Sequence, residues 1–266
     1  MNRSPASAAS VQALRLGLDA SRVLRFALPV TIEPETLVLR CAEEGPAPLL
    51  LCLHPARMTE LQFALRLRDL SQAPLHVAFP RGLHAHEVDL GGARGVGYSW
   101  CHYTGDNPVF RDSLACAMTY LDRVQAHLIE RLPVRRDAVF VLGAEDAALT
   151  ATAYAAARRD QTAGAITIGG QMLPDMIGEL TEGDRRLRFL HIDDRVRWLR
   201  RPPRIRGPMS RHEAEELRQL GFPVDIEAIP SDVDPWIDTV GRVVAWITRA
   251  LLPTARSSVR SGVAFE

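Results

Sequence analysis

The sequence predicts an α/β protein: one doubly wound, mostly parallel sheet with helices on both faces. Three observations carry that expectation. Short β-branched and aliphatic runs alternate with segments of helical spacing, the pattern of parallel strands joined by crossover helices. The chain has 266 residues, 47% of them hydrophobic, enough for one sizeable core, and no internal repeat marks a second domain. The stretch Asp137–Thr150, DAVFVLGAEDAALT, reads as a buried strand running through a sharp turn into a small-residue helix.

Residues 1–21 are rich in Ala and Ser without periodicity, and residues 253–266 carry an RSSVRSG run, so both ends are expected to be frayed tails on a single domain at 22–252. Val23–Ile32 and Leu37–Cys41 resemble the strands of an opening hairpin, and Pro48–Leu53 is a continuous apolar run. Helical spacing from Met58 to Leu70 leads to a strand at Leu75–Phe79 and then to a long Gly-rich loop over Gly82–Asn107, of the kind that lines sites. Asp112–Arg131 is amphipathic, with Leu114, Met118, Leu121 and Leu128 on one side. Strand Ala138–Leu142, helix Ala147–Arg158 and strand Gly164–Ile168 follow. Strand Leu187–Ile192, helix Arg211–Leu220, strand Val224–Ile229 and helix Trp236–Leu252 complete the set.

A formal net charge of zero removes the electrostatic case for nucleic acid or an anionic membrane as partner. All the strongly basic residues are Arg, which excludes a Schiff-base or other lysine chemistry. Cys41, Cys52, Cys101 and Cys116 form no C-x-x-C pair and have no metal-ligand spacing, so free thiols in a reducing compartment are expected. The N-terminus lacks the apolar run of a signal peptide and no segment approaches a membrane span, which points to a cytoplasmic protein; no cofactor and no metal are expected.

Five strings then fall in a telling order: LLLCLHPAR at Leu49–Arg57, HVAFPRG at His76–Gly82, GYSW at Gly97–Trp100, VFVLGAEDAA at Val139–Ala148 and AGAITIGGQMLP at Ala163–Pro174. Together they make residues 23–252 resemble the α/β-hydrolase fold, and more closely the phospholipase/carboxylesterase family of small serine esterases that includes acyl-protein thioesterases. The resemblance implies ester or thioester cleavage by a Ser–His–Asp triad. Glu145 stands where that serine belongs, with Gly143 and Ala147 as the small residues of a G-x-S-x-G turn. The family's H-G-x-G oxyanion loop is here His54-Pro55-Ala56-Arg57, in which Pro55 has no N–H to give. Gapless alignment puts Val233 at the position of the family His, with Asp232 or Asp234 one residue away; the last His in the chain is His212. Asp194 matches the triad acid, with Asp193 as the alternative.

A carboxylate nucleophile at Glu145 would still need a His to activate water, and its extra methylene displaces the attacking oxygen by roughly 1.5 Å relative to Asp. The structural reading is a carboxylate at a helix N-terminus that accepts free backbone N–H groups, an anionic plug in the oxyanion hole, with Asp146 adding a second charge. The expectation is therefore a pseudo-hydrolase that binds a small ligand or a protein partner; the alternative is an active carboxylesterase or thioesterase with a rearranged site. The family's habit of dimerising adds a homodimer as an implied assembly.

Other candidates have structural readings beside them. Ser99 in Gly97-Tyr98-Ser99-Trp100-Cys101 partly imitates an elbow but follows a Gly-rich loop, and Trp100 is expected to pack near the pocket. His84, His86 and Glu87 have zinc-ligand chemistry, with a solvated loop as the favoured reading. His54 is expected to be a structural hydrogen-bonding residue and Cys116 a small core hydrophobe. The arginines at 195–206 form one dense basic patch, read as a solvated face or a partner for the acidic helix Glu213–Glu216, with a phosphate or an acidic protein ligand as the functional option.

Overall fold

The computed structural model describes residues 33–41, 45–89, 92–102, 108–180, 187–193, 210–229 and 235–252. The expected tails, the expected strand Val23–Ile32 and the basic patch at 195–206 lie outside them.

Seven strands make the main sheet: β1 (Thr36–Leu39), β2 (Ala47–Leu53), β3 (His76–Pro80), β6 (Val134–Ala144), β7 (Gly164–Ile168), β8 (Arg188–Asp193) and β9 (Val224–Ala228). Their spatial order is β1-β3-β2-β6-β7-β8-β9, with every neighbouring pair parallel except β1 and β3. The central registers are Leu50↔Phe140, Phe140↔Gly164 and Gly164↔Arg188. A strand covered on both faces needs apolar residues at successive positions, and β2 and β6 supply them.

Along β6, alternate residues face opposite layers. Phe140 and Leu142 join Leu50, Cys52 and Ile166 under α1 (Glu60–Arg66) and α6 (Pro235–Leu251), whose Phe63, Trp236 and Trp246 close that layer. Val139 and Val141 join Leu49 and Leu51 under α2 (Pro108–Arg131) and α3 (Ala147–Ala157). A further cluster, Phe189, Leu217 and Phe222 among its members, seats α5 (Ser210–Gln219), while α4 (Pro174–Leu180) adds Ile177 to it. In α3, every residue from Ala147 to Ala156 is buried; alanines give the helix its best propensity and let it sit close to the sheet.

The structure corrects the sequence reading in four places. The stretch read as a loop over Gly82–Asn107 contains a two-stranded hairpin, β4 (His84–Asp89) and β5 (Arg94–Ser99). Helical spacing at Met58–Leu70 resolves into α1, capped by a reciprocal pair between Thr59 and Gln62, and a separate 3-10 turn at Arg68–Gln72. The short α4 after β7 was not expected. Cys116 is exposed rather than packed. Buried residues of α2 at Leu114, Ala117, Leu121, Val124 and Leu128 define its stripe, and position 116, next to Ala117, is turned about 100° out of it. Among the described residues, no helix is long and apolar enough to cross a membrane.

Candidate functional site

At the C-terminal end of β6 the backbone turns sharply. Glu145 has φ 55°, left-handed for a residue with a side chain, a conformation that costs about 1–2 kcal/mol. Two glycines make the turn possible. A Cβ on Gly143 would lie 2.3 Å from the Ala147 carbonyl oxygen, and one on Gly170 (φ 81°) would lie 1.8 Å from that of Glu145. The Glu145 N–H donates to the Ile168 carbonyl at 2.9 Å, fastening the turn to β7. Strand, left-handed residue and helix start are the parts of an elbow that raises one side chain above the sheet; here that side chain is a half-buried carboxylate.

Facing the elbow is the loop that leaves β2. The Ala56 N–H donates to Asp146 Oδ1 at 2.7 Å. Asp146 occupies the N-cap position of α3 without capping it, so its carboxylate reaches across to the loop. The anion bonded to this loop N–H is thus Asp146, the second charge that the sequence places beside Glu145. The left-handed turn at Glu145 separates the directions of the two neighbouring side chains, which a sequence cannot show. Pro55 offers no N–H, and Arg57 (φ 66°) gives its own to the Tyr98 carbonyl at 2.8 Å.

His54 lies fully buried beneath this loop. The Gly82 N–H donates to His54 Nε2 at 3.0 Å, which leaves the ring proton on Nδ1, 2.9 Å from the Pro55 carbonyl oxygen. Burial lowers its pKa despite the Pro55 contact. With both ring nitrogens engaged in backbone bonds, His54 shapes the loop and has no free lone pair for proton transfer. Trp100 is buried against it, its Nε1–H donating to the His54 carbonyl at 3.0 Å.

The hairpin adds a second set of groups. His84 pairs with Ser99 and His86 with Gly97, and all four face inward, while Ala85, Glu87 and Val96 are exposed. His86 Nε2 lies 2.6 Å from Ser99 Oγ. The ring of His102 packs 4.2 Å from that of His84 and 5.9 Å from that of His86. Burial, then His102, then Arg57 lower the His86 pKa. Cys101 Sγ lies 3.8 Å from Thr150 Oγ1 in the first turn of α3, and burial, with Asp146 nearby, raises its pKa. Among the described residues, no three His, Cys, Asp or Glu side chains are grouped to hold a metal ion.

Solved structures carry the same arrangement of sheet and helices. Esterase PE8 superposes with a TM-score of 0.60 at 17% identity, over 83% of this chain and all (100%) of its own. Zea mays acyl-protein thioesterase 2 gives a TM-score of 0.56 at 16% identity, covering 82% of this chain and 99% of that one. The Bacillus cereus carboxylesterase gives 0.55 at 15%, covering 82% and 94%. The chain has the α/β-hydrolase fold. No family model matches the sequence, and no curated protein matches it.

In this α/β-hydrolase fold, two of the three positions the resemblance assigns to a triad, Asp194 and Val233, fall outside the described residues. Asp193, the alternative acid, is buried at the end of β8 beside β9. His212 is on the outer surface of α5, paired with Glu216 at 3.2 Å. Sequence reasoning missed two groups. His191 is fully buried on β8 with Nδ1 2.7 Å from Thr167 Oγ1, and burial pushes its pKa down to about 4. The other is the contact between His86 and Ser99. Its only trace in the sequence is the alternation in HAHEVD, which would mark a strand had the alternating residues been apolar.

Proposed function

We propose that this chain has turned the elbow of an esterase-like hydrolase from acyl transfer to holding a ligand, and that it descends from the phospholipase/carboxylesterase family. The observation that carries this reading is the Ala56 N–H bonded to Asp146 Oδ1, next to a carboxylate at the elbow itself. Acyl transfer builds negative charge on the substrate oxygen, and a site that performs it aims free donors at that oxygen. Here the described loop donor is already spent on an anion, and a second carboxylate occupies the nucleophile's place. Both repel an oxyanion, whereas a neutral or cationic small molecule, or a side chain of a protein partner, meets no such penalty. The similar structures named as an esterase, an acyl-protein thioesterase and a carboxylesterase support an ester- or thioester-cleaving ancestor for this elbow. We place the protein in the cytoplasm, without cofactor, and include a homodimer in the proposal.

The test is hydrolysis of p-nitrophenyl butyrate by the full chain, by Glu145→Ser and by Glu145→Ser with Asp146→Ala. Turnover dependent on residue 145 is expected to be absent from the wild type. The single variant should stay within about 10-fold of background, since its donor remains occupied. Wild-type turnover that Glu145→Gln abolishes would overturn the reading.

A further inference from the structure

We propose that Ser99 and His86 form a nucleophile–base pair on the hairpin, built from residues other than those of the elbow, that accepts acyl groups from small activated esters. A serine becomes nucleophilic when a neutral imidazole nitrogen sits within hydrogen-bond reach of its hydroxyl. His86 Nε2 lies 2.6 Å from Ser99 Oγ. The register explains the contact. His86 stands opposite Gly97, which has no side chain, so the imidazole leans along the diagonal towards Ser99.

Both partners rest on fixed backbone. A Cβ on Gly82 would lie 2.6 Å from the Ser99 carbonyl oxygen, and one on Gly97 would lie 2.2 Å from that of Arg57, so the segments touch there backbone to backbone. The next residue after Ser99, Trp100, is pinned to His54. Burial and the charges of His102 and Arg57 hold His86 in its neutral, accepting form. The exposed Arg57 is the cation near His86 that balances an oxyanion. Ser99 is 3% exposed, so little room is left for a carbonyl to approach it. That restricts the acyl group to a short one.

In the reaction, Ser99 Oγ bonds to the acyl carbon while its proton passes to His86 Nε2 and the carbonyl π pair moves onto oxygen. Collapse restores the C=O, breaks the bond to the leaving oxygen and returns the proton from His86 to it. Water then repeats the sequence on acyl-Ser99 and releases the carboxylic acid. Nothing is required beyond the ester and water.

This goes beyond ligand holding at the elbow, and the two ideas fail separately. The experiment treats the full chain with a fluorophosphonate probe and with p-nitrophenyl acetate, and maps adducts by peptide mass spectrometry. The expected result is an adduct on Ser99, lost in Ser99→Ala, unchanged in Ser71→Ala, and formed about 100-fold more slowly in His86→Gln. No adduct on wild-type Ser99, or labelling of His86→Gln at the wild-type rate in a variant that melts like the wild type, would overturn the pair. Mapping on the wild type needs no variant to fold. Hydrolysis that depends on residue 145 with Ser99 unmodified would sink both ideas, whereas an adduct on Ser99 leaves the elbow reading untouched.

Discussion

The elbow at Gly143–Ala147 and the hairpin at His84–Ser99 are opposites. At the elbow the backbone makes a tight strand-to-helix turn, with a left-handed residue between two obligatory glycines, but the side chains it presents are carboxylates. On the hairpin a serine and a histidine are in contact, carried by two paired antiparallel strands rather than by a strand-to-helix turn. Geometry and chemistry are therefore separable in this fold. Steric demands within the central sheet hold the turn in place whatever residue occupies its apex, whereas nucleophile and base depend on single side chains.

The strongest way to break that comparison is to fill the space under the elbow. Gly170→Ala puts a methyl 1.8 Å from the Glu145 carbonyl oxygen on a left-handed residue, and is expected to cost about 3 kcal/mol or more in urea denaturation. A loss under about 1 kcal/mol would mean that the elbow is not held by sheet packing. Acidification comes next. His191 titrates near 4 when folded against an ordinary value of 6.5, so the folded state disfavours its proton. Stability is then full above pH 6.5 and falls as the pH drops towards 4, by up to about 1.4 kcal/mol per pH unit from this group. The check is a melting series in which His191→Gln flattens that window.

Gly97→Ala tests the hairpin in the same way as Gly170→Ala tests the elbow. Its methyl would meet the Arg57 carbonyl at 2.2 Å, but a two-stranded ribbon can lift away. We expect about 1–2 kcal/mol globally, with faster hydrogen exchange confined to residues 84–99. Equal exchange across the main sheet would show that hairpin and sheet unfold as one. The smallest effect belongs to Asp146→Ala, which gives up one exposed hydrogen bond to Ala56 and is expected to cost about 1 kcal/mol or less by thermal melting.

The sheet was legible because β2, the Ala138–Ala144 part of β6 and β7 are buried on both faces and so are written as nearly continuous apolar runs. The elbow was legible because Gly143 and Ala147 are the small residues its turn requires. The hairpin was not: its inward positions hold His84, His86, Gly97 and Ser99, which carry none of the apolar alternation that announces a strand. Nor could spacing reveal which of two adjacent carboxylates reaches Ala56, because that depends on the φ of Glu145. The exposed Cys116 could have been read from the α2 stripe, which passes it by.

The locked imidazole of His54 also makes the protein self-reporting. A ring proton on Nδ1, held against the Pro55 carbonyl in a fully buried position, is shielded from exchange with water. It should give a downfield resonance in proton spectra, outside the crowded amide envelope. Because the same residue's carbonyl anchors Trp100 and its Nε2 anchors Gly82, that single line would register any rearrangement of loop or hairpin without a label being attached.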